Sequence, residues 1–427
     1  MPEHAAKTAL RNLSRGVVSA IATSAGSIEA HRGIAFFDPR RDAVIIGQAS
    51  FNEAGSAVSE LPLLADRFGS AEARRVVLQF VYEFLGRLSQ PAFDEPSFED
   101  TWSALLRELD EPTWTFRGVA NLRYFNTGSA PVELVNGVTI RGRNGDDLMI
   151  LGFGEQVLDR LAEDWSGFGA SSFVIVVEKK VTKRPDNLLT LSDDSLWIIA
   201  LLSLQALRLL APGDLSIGRM WIVRPGYFNV GLSGLVSLGY SIPTLGGDYQ
   251  LTEELARLVL PVFSDLQQLA QAGYARSPGN LGLALRSFMQ TYDRWPSASD
   301  ARLLDSITAL EAVLGTNVEI AFKLAFRVAG LLAGSDAERS AMFQLLKGFY
   351  DTRSKLVHGG RLKPKHQQYF DRVDELRSFV RRLLRSFIHM AVRGSQNYNE
   401  AFFAEHLDAV LVDSSKREAL RREFGLA

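Results

Sequence analysis

The hydrophobic period of this chain changes once, near Leu281, and that change limits what it can fold into. Ahead of Leu281, short β-branched and aromatic runs alternate with helix-like segments. After it, apolar residues recur every three or four positions, a spacing that a helix places on one face. The spacing predicts helices over residues 281–295, 299–314, 318–333, 337–358 and 367–392, the last four joined by short gaps as in a bundle. Residues 399–411 and 415–424 read as a helical tail. The expected class is α+β: an N-terminal mixed α/β region, then a C-terminal all-α helical bundle. Pro296-Ser-Ala-Ser299 marks the boundary, giving a region over 1–295 (divisible near 110), a bundle over 296–395 and a tail over 396–427.

Within the first region, strands are expected at 34–37 and 43–46, at 113–125, in a hairpin over 132–143 turning at Asn136-Gly137, and at 217–223. The clearest strand is 172–182. Helices are expected over 71–89, over 97–109 with Ser97 as cap, over 154–165, over 252–271 with Thr252 as cap, and in the apolar run after Asp193-Asp-Ser195. The glycine-rich stretch 226–247 reads as a loop.

A chain of 427 residues, 46% hydrophobic and 22% charged, can build two or three cored domains. Its net charge of -2 sets up no global field, so a nucleic-acid site has to come from local clustering. The absence of cysteine excludes disulfides, thiolate zinc sites and cysteine nucleophiles, and it fits a reducing compartment. The six histidines show no metal-ligand spacing, and no cofactor is expected. Lys7, Arg11 and Arg15 precede an apolar run too short, and too broken by Ser19, for a signal peptide. The most hydrophobic run, 196–211, falls short of the roughly 20 residues that span a bilayer. Gln205 and Arg208 interrupt it, so it reads as a buried helix. A soluble cytoplasmic protein without membrane contact is expected.

Few stretches carry chemistry. Glu178 and Lys180 share one face of a strand, a pairing that metal-dependent nucleases complete with an aspartate such as Asp159 or Asp164. The plainer reading is an edge strand with charged ends. Residues 142–154 lack the lysine and hydroxyl of a phosphate-binding loop, and Gly231-Leu-Ser-Gly234 is too short for a nucleophile elbow. The segment Tyr350-Asp-Thr-Arg-Ser-Lys-Leu-Val-His-Gly-Gly360 differs. Arg353 offers a planar, permanently charged fork that fits phosphate, and His358 can exchange protons near neutrality. Gly359-Gly360 should end the helix. Between Arg353 and His366 there are five Lys or Arg, two His and no acid. Five helical residues put Arg353 and His358 about 140° apart, so one copy makes an incomplete site unless the helix end distorts or a second surface completes it. A solvated helix end with a capping histidine is the plainer alternative.

These residues resemble the Apea-like branch of the HEPN superfamily. Leu303-Leu304 and Ala309-Leu-Glu311 match its first helix. Phe326-Arg-Val-Ala329 with Leu331-Leu332 matches the second, and Tyr350 to Gly359 matches the third. The resemblance implies a helical bundle that forms a homodimer. It also implies a metal-independent endoribonuclease whose composite site at the dimer interface cleaves RNA by 2'-hydroxyl attack, leaving a 2',3'-cyclic phosphate. Carried over, His358 does acid–base chemistry and Arg353 binds the scissile phosphate; Ser354, one turn before His358, is expected either to orient the imidazole or to bond the backbone of the last helical turn. Lys355, Arg361, Lys363 and Lys365 would track the RNA backbone, with Tyr350 stacking a base or packing at the dimer face. Glu311 and Arg327 are expected to form a structural ion pair between helices. The implied role is a toxin-like or antiviral defence effector whose N-terminal region answers an unknown phage-derived or protein trigger. The alternative is a catalytically inactive HEPN module for RNA binding or dimerisation.

Overall fold

The computed structural model describes residues 2–23, 48–64, 73–128, 131–135, 137–144, 173–182, 194–223, 234–236, 249–272, 280–294, 298–314, 319–393 and 402–426. The fold is α+β, mostly helical, with a small antiparallel sheet and a C-terminal helical region. The strands expected at 34–37 and 43–46, the helix at 154–165, Asp159 and Asp164 lie outside the described residues.

Among the described residues, four helices open the chain: α1 (Pro2–Thr23), α2 (Gln48–Ser59), α3 (Ala73–Arg87) and α4 (Glu95–Asp110). The basic residues of α1 pair with acids of α4, Lys7 with Glu99 at 2.7 Å and Arg11 with Glu95 and Glu99 at 2.9 and 2.8 Å. The cap of α4 is Asp94, not Ser97, because its carboxylate accepts the Ser97 N–H at 2.8 Å. Pro96 explains the earlier start, since proline is at home in a first helical turn.

A six-stranded sheet follows in the order β3-β4-β5-β1-β6-β7. Its strands are β1 (Thr113–Arg123), β3 (Val132–Val135), β4 (Val138–Gly142), β5 (Phe173–Thr182), β6 (Ser216–Val223) and β7 (Gly234–Val236). Strand β1 ends at Tyr124, whose positive φ of 54° turns the chain into β2 (Phe125–Thr127). Strand β2 pairs in parallel with β8 (Tyr249–Leu251). Gly137, at φ 79°, makes the β3–β4 turn. The stretch expected as loop thus contains β7, held by pairing with β6. The apolar run forms α5 (Asp194–Leu210), and α6 (Glu253–Gln271) starts on the Thr252 cap. Among the described residues no helix is long and apolar enough to cross a membrane.

The helical region contains α7 (Leu281–Gln290), α8 (Ser299–Leu314), α9 (Ile320–Leu332), α10 (Asp336–Val357), α11 (Pro364–Asp371) and α12 (Val373–Arg393). One long helix was expected over 367–392. Instead the chain starts helix at Pro364 and breaks it at Arg372. A π-helical turn (Phe402–His406), α13 (Leu407–Val412) and α14 (Ser414–Glu423) form the tail. Helices α5, α6, α7, α8 and α9 all pack on α12, and the apolar core is continuous from the sheet through the bundle. The largest fully buried side chain is Arg327 of α9. Its guanidinium takes both oxygens of Asp408 in α13, at 2.7 and 2.9 Å, and the Leu314 carbonyl at 2.9 Å.

Gly348 sets where α11 lies. A Cβ at this position would meet the Tyr369 ring, which itself packs edge-on against Phe349 at 5.4 Å. Gly348→Ala should gain about 0.5–1 kcal/mol of helix propensity and lose about 1–3 kcal/mol to overpacking. The expected outcome is a lower urea midpoint, relieved when Tyr369→Ala is added.

Candidate functional site

Helix α10 begins on Ser335, whose hydroxyl accepts the Glu338 N–H at 3.2 Å. It buries Met342, Leu345, Leu346, Phe349 and Thr352, which turns Tyr350, Arg353 and Ser354 toward its half-exposed side. The helix ends as the glycine pair demands. Gly359 adopts φ 64°, its N–H reaches the Leu356 carbonyl at 3.4 Å, and the Gly360 N–H reaches the Lys355 carbonyl at 2.8 Å. This is the two-bond stop that a left-handed glycine makes possible. His358 is the capping residue and is exposed, flanked by exposed Val357 and Leu362.

Arg353 makes one hydrogen bond, from Nη2 to Glu311 Oε2 of α8 at 3.1 Å. Its Nε and Nη1 make none with any described residue, and its side chain keeps 23% of its exposure. The guanidinium carbon lies 5.6 Å from the centre of the Tyr350 ring. Burial, together with the nearby Glu311 charge, pushes the Tyr350 pKa up. Glu311 therefore lies against both Arg353 and Tyr350 of α10. The expected Glu311–Arg327 pair does not form, because Arg327 points inward to the tail while Glu311 faces α10.

The other expected site residues divide. Ser354 makes no side-chain hydrogen bond to His358, and the link between them is the His358 N–H to the Ser354 carbonyl at 3.1 Å. Lys355 pairs with Asp351 at 3.5 Å. Arg361, Lys363 and Lys365 are exposed and make no ion pair with any described residue. His366, counted with the basic segment, is buried at 1% exposure. Its Nδ1 accepts the Lys363 N–H at 2.8 Å, so its Nε2 carries the hydrogen that faces Asp351 Oδ2 at 3.2 Å. A sequence stretch without acids thus receives two from elsewhere, Asp351 from the preceding turn and Glu311 from another helix. An Asp351–Lys355 pairing was legible from i,i+4 spacing. Glu311, 42 positions before Arg353, had no local signal as its partner.

The alternative nuclease set is not assembled among the described residues. Glu178 accepts from Arg117, its cross-strand neighbour, at 2.7 Å. Strand β5 is interior, paired with β1 on one side and with β4 over residues 173–177 on the other. No group of three or more His, Asp or Glu able to hold a metal occurs among the described residues.

Burial pushes the Asp351 carboxyl up, but the His366 bond and the Lys355 charge outweigh it and hold it below its ordinary value. A depressed carboxyl contributes stability that is complete above the unfolded value of about 3.9 and is lost as pH falls through the folded value. Asp351→Asn should lower the thermal midpoint near pH 6, and the difference from wild type should shrink progressively as pH falls below the unfolded value.

Compared with protein-family models, curated proteins and solved structures, the chain matches none.

Proposed function

We propose that this chain is a metal-independent endoribonuclease of HEPN type that cleaves RNA at a composite site formed by two copies. The observation that carries the reading is the end of α10. There a guanidinium with two nitrogens that bond no described residue and an exposed histidine flank a sharp helix stop, beside a loop of three exposed cations. Arginine stabilises charge on phosphoryl oxygens. One imidazole takes the proton of the 2'-hydroxyl while another protonates the departing 5'-oxygen. One chain supplies a single histidine at this point, so a second copy supplies the other. Exposed Val357 and Leu362 give such a contact an apolar component. The N-terminal region then restrains the nuclease or senses its trigger, in keeping with a toxin-like or antiviral role. The Arg353–Glu311 pair favours one second reading, a bundle that binds RNA or dimerises without cutting, because the arginine already has an anionic partner.

The test is cleavage of total RNA and tRNA in excess EDTA. Wild type should cut, leaving 2',3'-cyclic phosphate and 5'-hydroxyl ends, and should spare DNA of the same sequence. Arg353→Ala and His358→Ala should each lose on the order of 100-fold or more in rate. Activity that needs metal and survives His358→Ala would sink the proposal, as would a strictly monomeric protein in light scattering. RNA binding without cleavage would favour the second reading.

A further inference from the structure

We infer that Glu311 is a positioning residue for Arg353, presenting its guanidinium to the scissile phosphate. This rests on the ribonuclease reading and deepens it. Two arginine–carboxylate pairs in the same bundle show the difference between holding and presenting. Arg327 is 1% exposed and spends its fork on both oxygens of Asp408 and on a backbone carbonyl. It has nothing left for a ligand and serves the fold. Arg353 is 23% exposed and gives Glu311 one bond, from one nitrogen. Its Nε and Nη1 stay open, on a group that carries its charge at every relevant pH.

The two helices behind this arrangement explain why it is specific. Glu311 comes from α8, a helix anchored by buried Leu303, Ile307 and Leu310, so its carboxylate reaches Arg353 from a fixed second element. The Tyr350 ring stands beside the guanidinium carbon at 5.6 Å. A free arginine at a helix surface has about 2 kcal/mol of rotamer entropy to lose when it grips a phosphate. Fixing one nitrogen against Glu311 removes part of that loss before RNA arrives. A single bond uses one of the two Nη2 hydrogens, so one two-donor edge of the guanidinium, shared between Nη2 and either Nε or Nη1, remains for two phosphoryl oxygens. Glu311 touches neither the phosphate nor the reacting atoms, and acts only through Arg353.

A double-mutant cycle on Glu311 and Arg353 tests this. Glu311→Ala should lower kcat for RNA cleavage about 10–100-fold, as loss of an orienting partner does, with KM changed less than about 3-fold. Glu311→Gln keeps an acceptor oxygen and should recover most of the rate. In an Arg353→Ala background, Glu311→Ala should cost nothing further. The thermal midpoint of each variant separates this from loss of fold. Wild-type kcat in Glu311→Ala, or effects that multiply in the double variant, would overturn the inference while leaving the ribonuclease reading intact. If wild type does not cut RNA, that reading falls. The same cycle is then read on the Kd for a 2'-O-methyl single-stranded oligoribonucleotide. There, no wild-type binding, or wild-type affinity in Glu311→Ala, overturns the inference as well.

Discussion

Helix α12 can sit at the centre of this molecule only if arginines on its inner face are satisfied away from water. Arg377 and Arg381 are 5% and 7% exposed. An unpaired charge at such depth costs several kcal/mol. The seam between α5, α7 and α12 meets most of that cost with Thr291 and Tyr292, although Arg377 Nη2 is buried with no hydrogen-bond partner among the described residues. Arg208 of α5 and Arg377 stand over the Tyr292 ring at 4.2 and 4.4 Å. The Tyr292 hydroxyl accepts from Arg381 at 3.2 Å, and Arg381 Nε bonds the Arg208 carbonyl at 2.9 Å. Arg377 also reaches Thr291 Oγ1 at 3.1 Å and Asp374 at 2.7 Å. Helix α8 packs on α12, and α10 packs in turn on α8, so the candidate site is built outward from the helix that carries this seam.

That seam was invisible in the sequence. Arg208 was legible only as an interruption in an apolar run, and Arg377 and Arg381 only as polar positions in an amphipathic helix. The elements themselves were far more legible. Each is driven by local spacing: the apolar face of α8, the β-branched run of β5, the Thr252 cap of α6. What failed was boundary chemistry that competes locally. Two residues near the start of α4 could have capped it, and the proline in its first turn decided for Asp94. Strand β7 is three residues long and owes its existence to pairing with β6, which no local pattern records.

The site shows the same division. The helix stop at Gly359 and the outward placement of Arg353 and His358 follow from residues within one turn of each other. The electrostatics do not. A count of charges along residues 353–366 gave an uncompensated basic segment, whereas the fold neutralises part of it with Asp351 and Glu311 and withdraws His366 into the interior. What stays open is narrower than the sequence suggested: one fork edge of Arg353, the ring of His358 and three cations on the loop.

Arg327 joins two parts of the chain that are made at different times. It grips the carbonyl of Leu314, the last residue of the helix that carries Glu311, and the carboxylate of Asp408 far downstream. Synthesis runs from the N-terminus, and domains fold as their residues emerge. Until Asp408 has left the ribosome, Arg327 is a charge that cannot be buried without penalty, and the end of α8 lacks its anchor. A nascent chain that already displays Arg353 and His358 therefore does not yet hold the scaffold behind them, and the candidate site matures only with the completed tail.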